Sequence, residues 1–265
     1  MPSISSSNKR EVLKIENLSL KFQLKTYQAI SLKDVFVNFF DPDHEESISK
    51  LPPRDVIIAD KLNLTINEGD RVALLGVNGS GKTSLCRCIS GTYKPDAGSI
   101  KIDGLVRAIF DVSVGIDEEL TGRENALLMS AFLYPAAPDR EKLVEDALAF
   151  TELGEFLNAP IRTYSRGMRS RFCLALVSTI SCDLLILDEV FEGADQFFRE
   201  KISQRMINMI DRSGACIFVS HAPSQIDRVC NRAVVVGQGK VLFDGDVQEA
   251  LKFYNSAGTS DASFR

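Results

Sequence analysis

The sequence predicts an α/β fold built on a mostly parallel sheet, with antiparallel N-terminal strands and an inserted helical subdomain. Short β-rich runs recur between glycine or polar residues, at 12–22, 71–76, 184–189, 215–220 and 232–237. Several are apolar throughout, as strands buried on both faces of a parallel sheet are. Helical stretches separate the later runs, and residues 195–212 carry apolar side chains at helical spacing, namely Phe198, Ile202, Met206, Met209 and Ile210. This alternation of strand and helix is typical of a parallel sheet covered by helices.

Composition sets limits on the class of protein. The chain has 265 residues, of which 45% are hydrophobic and 25% charged, as in soluble globular proteins, and we treat residues 1–265 as one domain. No apolar run reaches the ~18 residues that cross a bilayer, and the first residues lack a secretory signal, so a cytosolic location is expected. A formal charge of −5 argues against nucleic acid as a partner. The six cysteines form no CxxC pair, which predicts neither a disulfide framework nor a zinc site.

Two insertions and a tail interrupt the predicted sheet. The first insertion, 25–55, ends in Pro52 and Pro53 and contains the apolar-rich piece AISLKDVFVNFF. Residues 117–180 show no strand signal and form a predicted helical subdomain, which opens with LTGREN, a match to a helix capping box. Residues 256–265 are predicted to be a flexible tail.

The stretch GVNGSGKT, 76–83, matches G-x-x-x-x-G-K-[ST] and lies directly between a predicted strand and a predicted helix. Its backbone N–H groups and the positive helix start can surround phosphate oxygens, while Lys82 reaches the terminal phosphates and Thr83 ligates magnesium. The alternative is a glycine-rich turn that matches by chance. This context predicts a P-loop NTPase of the RecA-like type, with nucleotide bound by Gly76, Asn78, Gly79, Ser80, Gly81, Lys82, Thr83 and Ser84.

The run LLILDE, 184–189, places two carboxylates at the carboxyl end of a predicted central strand, where open α/β sheets bind nucleotides. Asp188 is suited to coordinate Mg²⁺, and Glu189 is suited to polarise the attacking water. A DE pair at a strand end is, taken alone, usually a solvated turn. The phosphate loop earlier in the same chain favours the catalytic interpretation of Asp188 and Glu189.

The stretch YSRGMRSRF, 164–172, concentrates arginines at the start of a helix. Ser165 can cap this helix, whose apolar stripe runs through Met168, Phe172 and Leu176, so the free amides and the arginines favour an anion. One nucleotide cannot easily reach both this cap and the phosphate loop of the same monomer.

Together, Gly76 to Thr83, YSRGM, LLILDE and SHA at 220–222 resemble the nucleotide-binding subunit of an ABC transporter over nearly the whole chain. The resemblance implies that two such subunits pair head to tail, and that Ser165 and Gly167 of one contact the γ-phosphate of ATP held by the other. It also implies a D-loop aspartate at Asp195 and a γ-phosphate-sensing histidine at His221. The alternative for His221 is an ordinary surface or core residue.

Within that family the sequence is most similar to the exporters of capsule, O-antigen and teichoic acid chains. Three features carry this similarity: YSRGM in place of LSGGQ, ELTGREN at 119–125, and DEVFEGADQFFREK at 188–201. The piece AISLKDVFVNFF resembles an amphipathic gate segment of some O-antigen exporters, or is a flap packed on its own domain.

Three positions depart from the family pattern. Arg166 stands where the family has glycine or, in the exporter group, serine. The glutamine that links Mg²⁺ to the membrane subunit is replaced by Asp117, judged from its spacing to LTGREN. Ile57 or Ile58 occupies the place of an adenine-stacking aromatic, for which Tyr27 or a phenylalanine of the insertion can substitute.

The resemblance therefore implies an ATPase subunit that uses ATP and Mg²⁺, forms a homodimer on two copies of an integral membrane permease, and drives export of a lipid-linked polysaccharide that it contacts only indirectly. It implies a peripheral position on the cytoplasmic face of the bacterial inner membrane. The rival interpretations are a non-transport ABC switch that regulates a complex and a nucleotide-binding module without useful hydrolysis.

Overall fold

A computed structural model describes residues 9–24, 54–113, 115–133, 137–179, 181–190 and 196–258. These residues form nine strands: β1 Glu11–Leu24, β2 Arg54–Asn67, β3 Arg71–Leu75, β4 Ala97–Ile102, β5 Val106–Ile109, β6 Leu184–Asp188, β7 Ala215–Val219, β8 Arg232–Gly237 and β9 Lys240–Gly245. The α-helices are α1 Lys82–Ile89, α2 Gly122–Leu133, α3 Arg140–Thr151, α4 Arg166–Val177, α5 Gln196–Arg212, α6 Pro223–Val229 and α7 Val247–Gly258.

The strands form two sheets. The larger has the order β5-β6-β7-β3-β8-β9, and all its pairings are parallel except β8 with β9. The smaller is antiparallel, in the order β2-β1-β4. The predicted fold class, a mostly parallel sheet with antiparallel N-terminal strands, is confirmed. All five predicted β-rich runs are strands.

The parallel strands are apolar because both of their faces are covered. Val72 and Leu74 pack on one side, against α1 and the antiparallel sheet, while Ala73 and Leu75 pack on the other, against α5 and α7. Every residue of β6 and β7 is buried. The apolar stripe predicted for α5 is also buried, with Phe198 and Ile202 at 2% and 3% exposure. A sheet packed in this way holds the carboxyl ends of its strands in fixed positions.

The described residues between 117 and 179 form helices joined by turns, and their only β-pairing is a single bridge between Thr121 and Pro160. Its start is a capping box: the backbone N–H of Thr121 donates to Glu124 Oε2 at 2.8 Å, and the N–H of Glu124 donates to Thr121 Oγ1 at 3.2 Å. Helices α2, α3 and α4 share a core of their own, which includes Ala126, Leu148 and Phe172.

One predicted boundary differs from the structure. Helix α7 continues to Gly258, so residues 256–258 of the predicted tail are helical. The gate segment of the first insertion and Tyr27 lie outside the described residues. Within the described ranges, no helix combines the length and the apolar character that crossing a membrane requires.

Candidate nucleotide-binding site

The loop between β3 and α1 has the backbone of a phosphate cradle. Gly79 and Gly81 adopt left-handed conformations, with φ of 84° and 91°, which glycine reaches at least cost. Gly81 is also the N-cap of α1 and provides no side-chain cap, so the N–H groups of the first turn have no side-chain acceptor. These amides face outward at the positive end of the helix, where anions bind.

Ser80 and Gly76 show how tightly this loop is folded. Ser80 Oγ is buried and has no hydrogen-bond partner within the part of the chain that the structure describes. A Cβ added at Gly76 would lie 2.5 Å from that oxygen and 2.6 Å from the carbonyl oxygen of Val236. Position 76 therefore has no room for a side chain. The buried Ser80 hydroxyl can donate a hydrogen bond to an oxygen of a bound anion.

Lys82 reaches back over the loop. Its Nζ donates to the carbonyl oxygens of Gly76 and Val77, at 2.7 and 3.1 Å, and the residue is 8% exposed. Burial lowers the pKa of Lys82, while the carboxylates of Asp188 and Glu189 act in the opposite direction. A buried ammonium whose hydrogen bonds, among the described residues, go to two neutral carbonyl oxygens is a strong potential partner for phosphate.

The carboxylates lie where the sequence predicts, at the carboxyl end of β6. Asp188 is the last residue of the strand and is 7% exposed. Glu189 follows in a left-handed conformation, φ 55°, which costs energy for a residue with a side chain. Its Oε1 lies 2.9 Å from Nε2 of His221, which follows the neighbouring strand β7, and both side chains are about half exposed. Thus the two predicted catalytic side chains are in contact.

A pocket of about 510 Å³ opens in front of these groups. The predicted site residues in its lining are Asn78, Gly79, Gly81, Lys82, Thr83, Ser84, Glu189 and His221. Ile58 completes the wall, packed against Gly81, whereas Ile57 is 57% exposed. Of the two isoleucines at the expected adenine-stacking place, Ile58 faces the pocket. An aliphatic side chain gives apolar contact there without aromatic stacking.

The arginine-rich cap lies away from this pocket. Ser165 is the N-cap of α4, and its Oγ accepts a hydrogen bond from the N–H of Met168 at 3.2 Å, as predicted. Arg169 is paired with Glu118 at 2.6 Å, whereas Arg166 is exposed. Neither Ser165 nor Gly167 lines the pocket of its own chain, and Asp195 lies outside the described residues.

Asp117 does not reach the pocket either. Its carboxylate accepts the N–H of Glu119 at 2.9 Å within its own turn, and its backbone N–H donates to Asn125 Oδ1 at 2.8 Å. Asp111, two residues beyond the end of β5, lies nearer the carboxyl edge of the sheet, but its carboxylate also accepts hydrogen bonds within its own turn, from Ser113 N and Oγ at 2.8 and 2.7 Å, and it does not line the pocket. Ile109, the last residue of β5, pairs with Leu187 in β6, so the chain leaves β5 at the same edge where Asp188 and Glu189 follow β6. The end of β5 marks this edge of the sheet. Because β5 is only the four residues VRAI, the sequence gave little evidence that a strand ends there.

The six cysteines contribute no chemistry here. All are free, and all except Cys230 are buried. Burial raises the pKa of the Cys86 thiol well above its ordinary value, so this residue behaves as a small apolar side chain.

A parallel sheet with a phosphate loop at one strand end and a DE pair at another defines a P-loop nucleotide-binding protein. The family model described as "ABC transporter" matches residues 59–192, and the chain belongs to that family. It is thus an ABC-type ATPase subunit.

Curated relatives and solved structures agree with this assignment. "O-antigen export system ATP-binding protein RfbE" of Yersinia enterocolitica is 36% identical over 186 residues, covering 70% of this chain and 78% of the relative. The protein RfbB of the same description from Myxococcus xanthus is 30% identical over 246 residues; the match covers 92% of this chain but 56% of that longer protein. A dimeric ATP-binding cassette in a post-hydrolysis state, bound to ADP and Pi, superposes with a TM-score of 0.63 at 20% identity, over 89% of this chain and 98% of the other. That likeness shows the fold.

Proposed function

We propose that this chain is the ATP-hydrolysing subunit of an exporter that moves a lipid-linked polysaccharide across the bacterial inner membrane. The observation that carries the proposal is the identity of 36% to an O-antigen export ATP-binding protein over most of that protein's length. The ELTGREN and DEVFEGADQFFREK segments support the same group of exporters. The chain then acts as a homodimer on the cytoplasmic side of two copies of a membrane permease.

The described residues suit the individual steps of hydrolysis. The amides of Gly79, Gly81 and Lys82 surround the phosphates, and the Lys82 ammonium leaves the carbonyl oxygens for the terminal phosphate. Thr83 and Asp188 are the residues that would hold the Mg²⁺ accompanying ATP, which neutralises charge on the phosphates. We assign the further acidic contact at this edge to Asp111, in place of Asp117.

Glu189 and His221 are placed to act on water and on the terminal phosphate. A carboxylate at the mouth of the pocket can accept the proton of an attacking water, and an imidazole 2.9 Å away can orient that carboxylate and donate to the phosphate. Because Ser165 and Gly167 lie away from their own pocket, we propose that they complete the pocket of a second copy. Hydrolysis then requires the dimer.

The test of the export function is made in the host bacterium. Deleting the gene should leave the lipid-linked polymer on the cytoplasmic side of the inner membrane. The wild-type gene should restore polymer at the surface, whereas Lys82→Ala should not. Normal surface polysaccharide in the deletion strain would contradict the export proposal and favour a non-transport ABC switch.

A further inference from the structure

Part of the segment DEVFEGADQFFREK has no place in the nucleotide pocket. Phe198 and Lys201 lie on the first turns of α5, nine and twelve residues beyond Glu189, and neither lines the pocket. Phe198 is 2% exposed, while Lys201 is exposed at the surface. Phe198 and Lys201 therefore have a role other than contact with the bound nucleotide.

Phe198 lies in a stack of four side chains drawn from three helices. The guanidinium of Arg171, from α4, lies over the Phe198 ring at 4.5 Å from its centroid. The Phe198 ring meets that of Phe150, from α3, edge to face at 5.2 Å between centroids. Arg205 lies on α5 about two turns after Phe198, and its guanidinium lies over the Phe150 ring at 4.3 Å from the ring centroid. Two rings in contact edge to face, each with a guanidinium over it, attract through the ring quadrupoles.

Ionic contacts run alongside this stack. Lys201 pairs with Glu152, the C-cap residue directly after α3, and the hydrogen bond from Lys201 lowers the pKa of that carboxyl. Arg205 pairs with Asp146 of α3 and donates to Ser178 Oγ, at the end of α4, at 2.6 Å. The stack and these pairs together join α3 and α4 to α5, and we call this set of contacts the α5 seam.

The seam connects two parts of the site that are far apart in sequence. Helix α4 begins at the Ser165 cap, and Arg171 lies six residues further along the same helix. Helix α5 belongs to the parallel-sheet core, where Phe198 packs among the residues that support β6. The orientation of the cap relative to Glu189 therefore depends on contacts between α4, α3 and α5.

We propose that Phe198 and Lys201 are positioning residues, which fix the helical subdomain on the core so that the Ser165 cap is presented to the ATP of a second copy. This rests on the proposed function, in which the cap serves the partner. Weakening the contacts of the α5 seam should leave ATP binding to the chain's own phosphate loop unchanged, because no residue of the seam lines that pocket. It should weaken dimer closure on ATP and lower kcat, because the cap then samples several orientations.

The exposed ion pair allows a test by charge exchange. In a Glu189→Gln background, where ATP persists, Lys201→Glu and Glu152→Lys should each weaken ATP-dependent dimerisation by about three- to tenfold, since each replaces an attraction by a repulsion. The double variant should restore it to within about twofold, because the attraction returns with opposite signs. Dimerisation is followed by analytical ultracentrifugation with and without ATP, and ATP affinity by a fluorescent analogue.

Arg123→Glu is the matched control. Arg123 and Glu145 form a similar exposed pair at 3.3 Å, but this pair joins α2 to α3 within the helical subdomain and not to α5. This variant should dimerise like its parent. A further variant, Phe198→Leu, keeps an apolar side chain of similar size but removes the ring, and should weaken dimerisation without changing ATP affinity.

The outcomes separate the two proposals. Equal dimerisation of the parent and both single variants, no rescue in the double variant, or an equal loss with Arg123→Glu would overturn the role of the seam while the proposed function stands. Loss of ATP affinity together with a lowered Tm in the single variants would show a merely structural role and also overturn it. A parent that never dimerises with ATP would overturn the composite site itself, and the seam's role with it.

Discussion

Replacing Glu189 by glutamine isolates the chemical step from binding. The change removes the charge that accepts a proton and keeps the size and the hydrogen-bonding capacity toward His221, whose Nε2 lies at 2.9 Å. Because Glu189 is half exposed and its backbone N–H is bonded to the carbonyl oxygen of Val219 at 3.0 Å, neither packing nor the strained backbone should change. Folding and ATP affinity should therefore stay close to wild type.

Hydrolysis should fall by about 100-fold or more, the range for a positioned general base, which corresponds to about 2.7 kcal/mol of lost transition-state stabilisation. The assay measures phosphate release at saturating Mg²⁺-ATP, alongside Tm and the affinity for a fluorescent ATP analogue. Glu200→Gln is the control, since Glu200 is an exposed glutamate of α5 paired with Arg228 at 3.5 Å. If Glu189→Gln binds ATP and releases phosphate within threefold of wild type, Glu189 is not the base.

Two further substitutions test the structure around the site. Gly76→Ala should lower the free energy of unfolding by about 2 kcal/mol and abolish ATP binding, because its Cβ would press on Val236 O at 2.6 Å; Gly167→Ala, where the nearest atom is 4.0 Å away, should fold normally, and equal Tm values for both would contradict this. Asp183→Asn should cost about 1 kcal/mol at neutral pH, because the carboxylate accepts the N–H of Leu105 at 2.7 Å and a bond from Arg10 at 3.0 Å. Those bonds lower the pKa of Asp183, the backbone bond most, so its stabilisation is present above the unfolded pKa, near 4, and is lost as the pH falls through the folded pKa. Denaturant unfolding curves of wild type and variant should converge as the pH falls through the folded pKa of Asp183, and a constant gap would refute the linkage.

Much of the fold could be predicted because the central strands are buried on both faces. Such strands appear in sequence as unbroken apolar runs, as β6 and β7 do. The strands that sequence reasoning missed are β2, β4, β5 and β9, which are partly exposed or very short, like the four residues of β5. The strand order β5-β6-β7-β3-β8-β9 follows from long crossover connections, which no local pattern records.

In the site, too, local motifs could be predicted from the sequence, whereas contacts between distant segments could not. The phosphate loop is a local motif, and its left-handed glycines lie where the sequence places them. The contact between Glu189 and His221 joins the ends of neighbouring strands; the family resemblance gave His221 a role at the site, but nothing in the sequence predicted the contact itself. The role of the missing glutamine was assigned to Asp117 from its spacing to LTGREN. The carboxyl edge of the sheet lies where β5 ends, two residues before Asp111, so we favour Asp111 for that role. The seam of α5 could not be predicted at all, since it depends on how three helices pack.

The composite site is tested most directly by mixing two proteins. One carries Gly167→Cys, at a position where a side chain has space, and the other carries Asn78→Cys, at the exposed tip of the phosphate loop. Both are made in the Glu189→Gln background, in which five of the six native cysteines are buried and Cys230 is replaced by serine. We predict a disulfide-linked dimer that forms under mild oxidation only in the mixture and only with ATP. If the mixture with ATP gives no more linked dimer than either protein alone, the cap at Ser165 does not serve the nucleotide of a second copy.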